Sequence, residues 1–193
     1  MIHLVDDDEA VTGACRYLLE SLGHSVQCWN HSEQFLQHAP LTASGIALLD
    51  MRMPGMDGHA LFQAMREQHS TLAVIFLTGH GDVPMAVTEI QSGAVDFLQK
   101  PVAVTELKAA IARGYAHSAR LTKTHQLKLR YAALTPKEQE VARCVAAGLM
   151  NKDIAAKMNI ALRTVEVHRA RVMEKMHASS MAELVLQIDG LGD

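Results

Sequence analysis

The chain has 193 residues, 49% apolar and only 4% aromatic, enough for one medium domain or two small ones with aliphatic and methionine cores. Its formal net charge of -3 conceals a split: residues 1–118 carry 6 Lys and Arg against 13 Asp and Glu, whereas residues 119–193 carry 12 against 8. No apolar stretch approaches membrane-spanning length, no basic leader precedes the first apolar run, and Cys15, Cys28 and Cys144 form no CxxC, which argues against a membrane protein, a secreted disulfide scaffold and a cysteine-based metal site. The cysteines fall in apolar patterns and are expected as buried free thiols in a reducing cytoplasm.

In chain order, strand-like runs are IHLV (2–5), SVQCW (25–29), IALL (46–49), AVIFL (73–77) and VDFL (95–98). Between them lie helical patterns near 9–22, 31–38, 57–68, 83–92 and from 104 onward. The third and fourth runs are almost wholly apolar, as expected of strands covered on both faces. Five βα units of this kind predict a flavodoxin-like doubly wound α/β domain over 1–118. The polar, basic stretch 119–131 contains no proline and predicts a helical linker continuing the fifth helix. Residues 132–193 contain no convincing strand and predict four short helices. In LTPKE, Thr135 can cap, Pro136 fits the first helical position and Glu138 completes a capping box. Gly148 is a stop, and Asn151 can cap the next helix.

Function in a doubly wound sheet collects at the carboxyl ends of the strands. There the sequence places Asp6 and Asp7, then Asp50, Thr78, and Lys100 before Pro101. No GxGxxG follows the first strand, so a dinucleotide is not expected. Clustered carboxylates suit a hard divalent cation, Mg²⁺, which relieves their repulsion and leaves positions for water and a phosphoryl oxygen. Asp50 is then placed to form an aspartyl phosphate, with Mg²⁺ and Lys100 neutralising the transferring group and Thr78 donating a hydrogen bond. The remaining acids of the opening run, Asp8 and Glu9, suit the start of the first helix.

The DD pair after LV, LLDMRMPGMDG around Asp50, FLTG ending in Thr78 and Gly79, and DFLQKP resemble a response-regulator receiver domain over the first ~118 residues. The resemblance implies that Asp50 is the phosphoacceptor and a sensor histidine kinase the donor. It further implies that Asp7, Asp50 and the Arg52 backbone carbonyl bind Mg²⁺ directly, that Asp6 acts mainly through water, that Thr78 and Phe97 form a switch, and that the bond before Pro101 is cis. FLTGHGDVPMAV and GAVDFLQKPV are similar to the FixJ subgroup, which implies a phosphorylation-dependent homodimer face on the fourth helix and fifth strand, here Val83, Pro84, Val87, Ile90 and Val95. CRYLLESLGH, LLDMRMP, DVPMAV, DFLQKPV and RTVEVHRARVMEKM narrow the likeness to regulators of tetrathionate respiration, which implies control of anaerobic respiration genes.

The basic half, from LTPKEQEVARCVAAGLMNKDIAAKM through RTVEVHRARVMEKM, resembles the LuxR/FixJ-type helix-turn-helix domain, with a scaffold helix near 152–157 and a recognition helix near 162–176. Its expected partners are promoter DNA and RNA polymerase. Val165, Val172 and Met176 recur at helical spacing and are expected inside, with His168 half-buried beside them. Arg163, Glu166, Val167, Ala170 and Arg171 lie toward the other side as candidate base readers, and Lys152, Thr164, Arg169 and Lys175 are candidate phosphate contacts. Relatives commonly place Ser, then Pro, at the recognition-helix start. This chain has Ala161 and Leu162, and Ala is a poor cap.

These features together predict a two-component transcription regulator rather than an enzyme. Two alternatives use the same residues. A Mg²⁺-dependent aspartyl phosphatase shares Asp, Lys and metal, but usually carries an acid two residues after the nucleophile, where this chain has Arg52. A phosphorylation-independent DNA binder has no evident need for the acidic set.

Overall fold

The computed structural model describes residues 1–79 and 83–191, the side chains of residues 83–85 excepted. The chain divides into two compact units, Met1–Thr122 and Lys123–Asp193.

In the first unit, strands β1 (Ile2–Val5), β2 (Val26–Trp29), β3 (Ile46–Asp50), β4 (Ala73–Thr78) and β5 (Asp96–Gln99) alternate with helices α1 (Glu9–Ser21), α2 (Ser32–His38), α3 (Gly58–Glu67), α4 (Val83–Gln91) and the first part of α5 (Val104–Ala132), whose residues beyond Thr122 belong to the second unit. All strand pairings are parallel, in the order β2-β1-β3-β4-β5. This is the flavodoxin-like doubly wound arrangement. The period-two alternation of each strand feeds two cores. Val5, Leu49 and Phe76 pack with Phe35, Leu61, Phe62 and Met65 on the α2 and α3 side. Leu4, Leu48 and Ile75 pack with Leu19, Leu107, Ala110 and Ile111 on the α1 and α5 side. Every residue of β3 and β4 is buried, which is why these two runs read as continuously apolar.

Strands three, four and five each run one residue further than the apolar pattern suggests. Asp50 and Thr78 are therefore the last residues of their strands, inside the ladder rather than beyond it. Helix α5 closes against the sheet through a polar fastening that hydropathy does not reveal. The buried Ser118 hydroxyl accepts from the Gly45 N–H at 2.9 Å and donates to the Thr71 carbonyl at 2.7 Å. The cysteine expectation holds only for Cys144, which is buried. Cys15 and Cys28 are half-buried free thiols, because α1 and the edge strand β2 leave one side of each to solvent. Burial pushes both of these thiols up from their ordinary pKa.

The second unit packs α6 (Pro136–Ala146), α7 (Asn151–Met158), α8 (Leu162–Met176) and α9 (Met181–Asp189) around Val141, Cys144, Ile154, Val165, Val172, Met176 and Leu184. α6 opens with a complete capping box: Thr135 Oγ accepts from the Glu138 N–H at 3.3 Å, and Glu138 Oε2 accepts from the Thr135 N–H at 2.8 Å. Asn151 does not cap α7, contrary to expectation. The helix starts at Asn151 itself, Met150 occupies the cap position without a side-chain bond, and the Asn151 side chain instead accepts from Arg169. α8 begins at Leu162 after Ala161, with no side-chain cap.

The Lys175 ammonium donates to the same Glu138 oxygen at 2.7 Å, and the Glu138 side chain is only 3% exposed. The Lys175 bond and the Thr135 backbone N–H outweigh desolvation and hold the Glu138 pKa down at about 2. A depressed carboxylate contributes stability that is complete above its unfolded value, about 4.3, and is lost as pH falls toward the folded value. Glu138→Gln is therefore expected to lower the stability of the helical unit by about 1 kcal/mol at neutral pH and to flatten its loss of stability between about pH 4.5 and pH 2. Thermal melts followed across that range test this, and an acid limb identical to the wild type contradicts it.

Candidate functional site

Three strand ends and one loop build the acidic edge. Asp6 follows β1 and is buried, Asp50 closes β3 at 7% exposure, and Thr78 closes β4 at 4%. Lys100 follows β5. The peptide between Lys100 and Pro101 is cis, and the Lys100 N–H donates to the Thr78 carbonyl at 2.6 Å. The Lys100 ammonium donates to Asp6 Oδ2 at 2.6 Å and also to Asp50 Oδ1. Burial by itself lowers the Lys100 pKa, but its hydrogen bonds to Asp50 and Asp6 and their charges prevail, and the group is held above its ordinary value. The other carboxylate oxygens meet backbone donors: Arg52 N–H to Asp50 Oδ2 at 2.7 Å, and Asp8 N–H to Asp6 Oδ1 at 3.0 Å. A hollow of about 210 Å³ is lined by Asp50, Met51, Arg52, Thr78, Gly79 and Lys100.

The opening acids separate by role. Asp8 caps α1, accepting from the Ala10 and Val11 N–H groups at 2.8 and 3.2 Å. Glu9 stands in the first turn of α1, as expected. Asp7 is exposed and lines a neighbouring hollow of about 580 Å³ with Met51, Arg52, Met53, Pro54, Asp57 and His59. Among the described residues, no three acidic, histidine or cysteine side chains converge as a ready-made metal cage. Two carboxylates and a carbonyl, completed by water, are the oxygen donor set that suits Mg²⁺, which keeps several of its waters.

Phe97 is half-buried and stands in a row of rings, 6.1 Å from Phe76, which in turn lies 5.7 Å from Phe62. Of the residues expected on a dimer face, Val87 and Ile90 are exposed on α4, at 50% and 44%. Val95 packs against the α1 and α5 side of the core. The side chains of Val83 and Pro84 lie outside the described residues.

On α8, Val165, Val172 and Met176 are buried, and Arg163, Thr164, Glu166, Val167, Ala170 and Arg171 are exposed. Lys152 is exposed on α7. Arg163 pairs with Glu166 across one helical turn at 3.0 Å. His168 is half-buried, and its Nδ1 has no partner among the described residues. Two candidate phosphate contacts are engaged inside the unit. Arg169 donates to Asn151 Oδ1 and to Met181 Sδ at 2.7 Å, and Lys175 is paired with Glu138. Helical spacing places both toward solvent, but the spacing carries no information about partners on α6, α7 and α9.

Residues 2–112 match the family described as "Response regulator receiver domain", and residues 132–188 match "Bacterial regulatory proteins, luxR family". The chain is a response regulator of the FixJ type. It is 57% identical over 188 residues to the tetrathionate response regulatory protein TtrR of Salmonella typhimurium, covering 97% of this chain and 91% of that one. It is 40% identical to the transcriptional regulatory protein FixJ of Bradyrhizobium diazoefficiens, covering 95% and 92%. Among solved structures it is similar to the response regulator StyR, with a TM-score of 0.72, 37% identity and 97% of each chain covered. As a response regulator it belongs to a family of transcriptional regulators rather than enzymes, and the phosphatase alternative falls with that. A receiver domain implies a sensor-kinase partner, a LuxR-type domain implies DNA binding, and receiver domains generally bind Mg²⁺ at their phosphorylation site. No helix among the described residues is long and apolar enough to cross a membrane.

One residue important to the edge carries no chemistry of its own. Gly58 opens α3 where the chain returns to β3, and a Cβ there would lie 2.3 Å from the Asp50 carbonyl and 3.1 Å from Met51 Cα, both backbone. The glycine in MDG is the only sequence signal of this approach. Alanine at an exposed helix start is normally favourable. Here Gly58→Ala is expected to destabilise the receiver unit by about 2 kcal/mol through forced backbone movement. A melting temperature unchanged or raised contradicts that reading.

Proposed function

We propose that this response regulator is switched by phosphorylation of Asp50 and then acts at promoters as a homodimer. The observation that carries the reading is the Lys100 ammonium held between Asp6 and Asp50, beside an open hollow that Asp50, Thr78, Gly79 and Lys100 line. An Asp50 carboxylate oxygen attacks the phosphorus of a sensor histidine kinase's phosphohistidine. The phosphorus–nitrogen bond breaks, and the imidazole nitrogen leaves with the electron pair. Asp7, Asp50 and the Arg52 carbonyl would hold Mg²⁺, with Asp6 acting through water, and the ion supplies charge neutralisation on the phosphoryl oxygens. Lys100, already poised between two carboxylates, turns toward the new negative charge. Thr78 supplies a hydroxyl to it, and Phe97 follows the vacated space along the row of rings.

The exposed α4 residues Val87 and Ile90 are the apolar positions from which a dimer face would be built. Dimerisation would pair two LuxR-type domains on two half-sites, with Arg163, Glu166, Val167, Ala170 and Arg171 facing base edges and Lys152 and Thr164 contacting phosphates. The 57% identity with TtrR supports promoters of tetrathionate respiration genes as the target, with RNA polymerase as the recruited partner in the cytoplasm.

Incubation with Mg²⁺ and acetyl phosphate is expected to give a hydroxylamine-labile phosphoprotein that sediments as a dimer. Asp50→Asn is expected to abolish both changes. Labelling that persists in Asp50→Asn, or no labelling of the wild type, sinks the proposal. Arg171→Ala is expected to weaken promoter binding by at least about tenfold with the melting of the helical unit unchanged. Lys175→Ala is expected chiefly to lower that melting temperature, and the opposite pattern would exchange the two assignments.

A further inference from the structure

α3 and α4 are joined by a hydrogen-bonded histidine–glutamate pair that the phosphorylation chemistry does not use. Glu89 on α4 is 1% exposed, and its Oε1 lies within hydrogen-bonding distance of His59 Nδ1. Its other oxygen, Oε2, is buried with no hydrogen-bond partner among the described residues. A buried carboxylate with a single donor depends heavily on that donor. His59 is anchored differently. It is the second residue of α3, its side chain is 48% exposed, and it borders the hollow that also contains Asp7, Arg52 and Asp57. One partner is therefore buried on α4, and the other lines a hollow adjacent to that of Asp50, the two hollows sharing Met51 and Arg52. On the same helix, next to Glu89 in sequence, Ile90 is exposed.

We propose that the His59–Glu89 pair is a latch that holds α4 in its packed position and couples that position to the charge at the acidic edge. Resting on the reading that Asp50 is phosphorylated, the coupling follows from charge. A phosphoryl group on Asp50 adds nearly two negative charges next to the hollow that His59 lines, offering the imidazole a second anionic partner. As His59 is drawn toward it, Glu89 loses its donor, and α4 no longer gains by keeping the carboxylate buried. A change at Asp50 thereby reaches the helix that carries Val87 and Ile90, independently of the Thr78 and Phe97 route.

The latch predicts a difference in α4 even without phosphate. In full-length, unphosphorylated His59→Ala, amide hydrogen exchange across 86–91 is expected to quicken on the order of tenfold. The double variant His59→Ala/Glu89→Met removes the donor and also replaces the buried carboxylate by an apolar side chain of similar size, so no buried carboxylate is left without a partner and exchange is expected to return close to the wild-type rate. Unchanged protection in His59→Ala, or a double variant exchanging as fast as or faster than the single one, overturns the latch. Sedimentation of the same proteins with acetyl phosphate separates the two ideas. A wild type that never dimerises fails the proposed function while leaving the exchange result to judge the latch. A wild type that does dimerise, with His59→Ala dimerising at a lower dose of acetyl phosphate, supports both.

Discussion

The acidic edge depends on one cation. Asp6 follows β1 and Asp50 ends the neighbouring β3; both are buried and would repel each other as carboxylates. The Lys100 ammonium meets both. It comes from beyond β5, which is separated from β3 by β4, so the flexible lysine stem spans the end of β4 while its own backbone N–H is tied to Thr78. Removing one member of such a buried set leaves an uncompensated charge costing about 3–5 kcal/mol. The strand order, the β3–α3 turn that brings Gly58 onto the Asp50 carbonyl, and the backbone N–H groups of Asp8 and Arg52 all serve to keep these few atoms in register.

The two units solve different problems with similar means. In the receiver unit, charge is gathered where water still enters and chemistry is possible. In the helical unit, charge is used for fastening: Glu138 completes the α6 cap and takes the Lys175 ammonium, and Arg169 joins α8 to the start of α7 and to Met181 of α9. This fastening orients α8, whose outward residues Arg163, Glu166, Val167, Ala170 and Arg171 remain open to solvent. The basic character of this half is thus divided between side chains that hold the fold and side chains available to a nucleic acid.

Much of this was legible in the residues. The five apolar runs, their alternation with helical patterns and the LTPKE cap all formed where their local chemistry places them, because each depends on neighbours within a few positions. Asp6, Asp50, Thr78 and Lys100 were legible as a set because strand ends converge in a parallel sheet. What stayed hidden depends on distant partners. The half-exposure of Cys15 and Cys28, the use of Asn151 as an acceptor for Arg169 rather than as a cap, the packing of half-buried Val95 against the core, the Ser118 fastening and the His59–Glu89 pair all require knowing which helix lies beside which. The sequence pattern of Lys175 is that of a solvated lysine, and only the α6·α8 packing shows that Glu138 claims it.

If Asp50 is the carboxylate that carries a phosphoryl group, the modified side chain can be identified by its chemistry. The most direct measurement is borohydride reduction of the acetyl-phosphate-treated full-length protein followed by peptide mass mapping. Reduction converts an aspartyl phosphate to homoserine and leaves unmodified aspartate untouched. Homoserine is expected at position 50 and at no other aspartate. Homoserine at position 6 or 7, or an unaltered Asp50 in protein that has taken up phosphate, would contradict it.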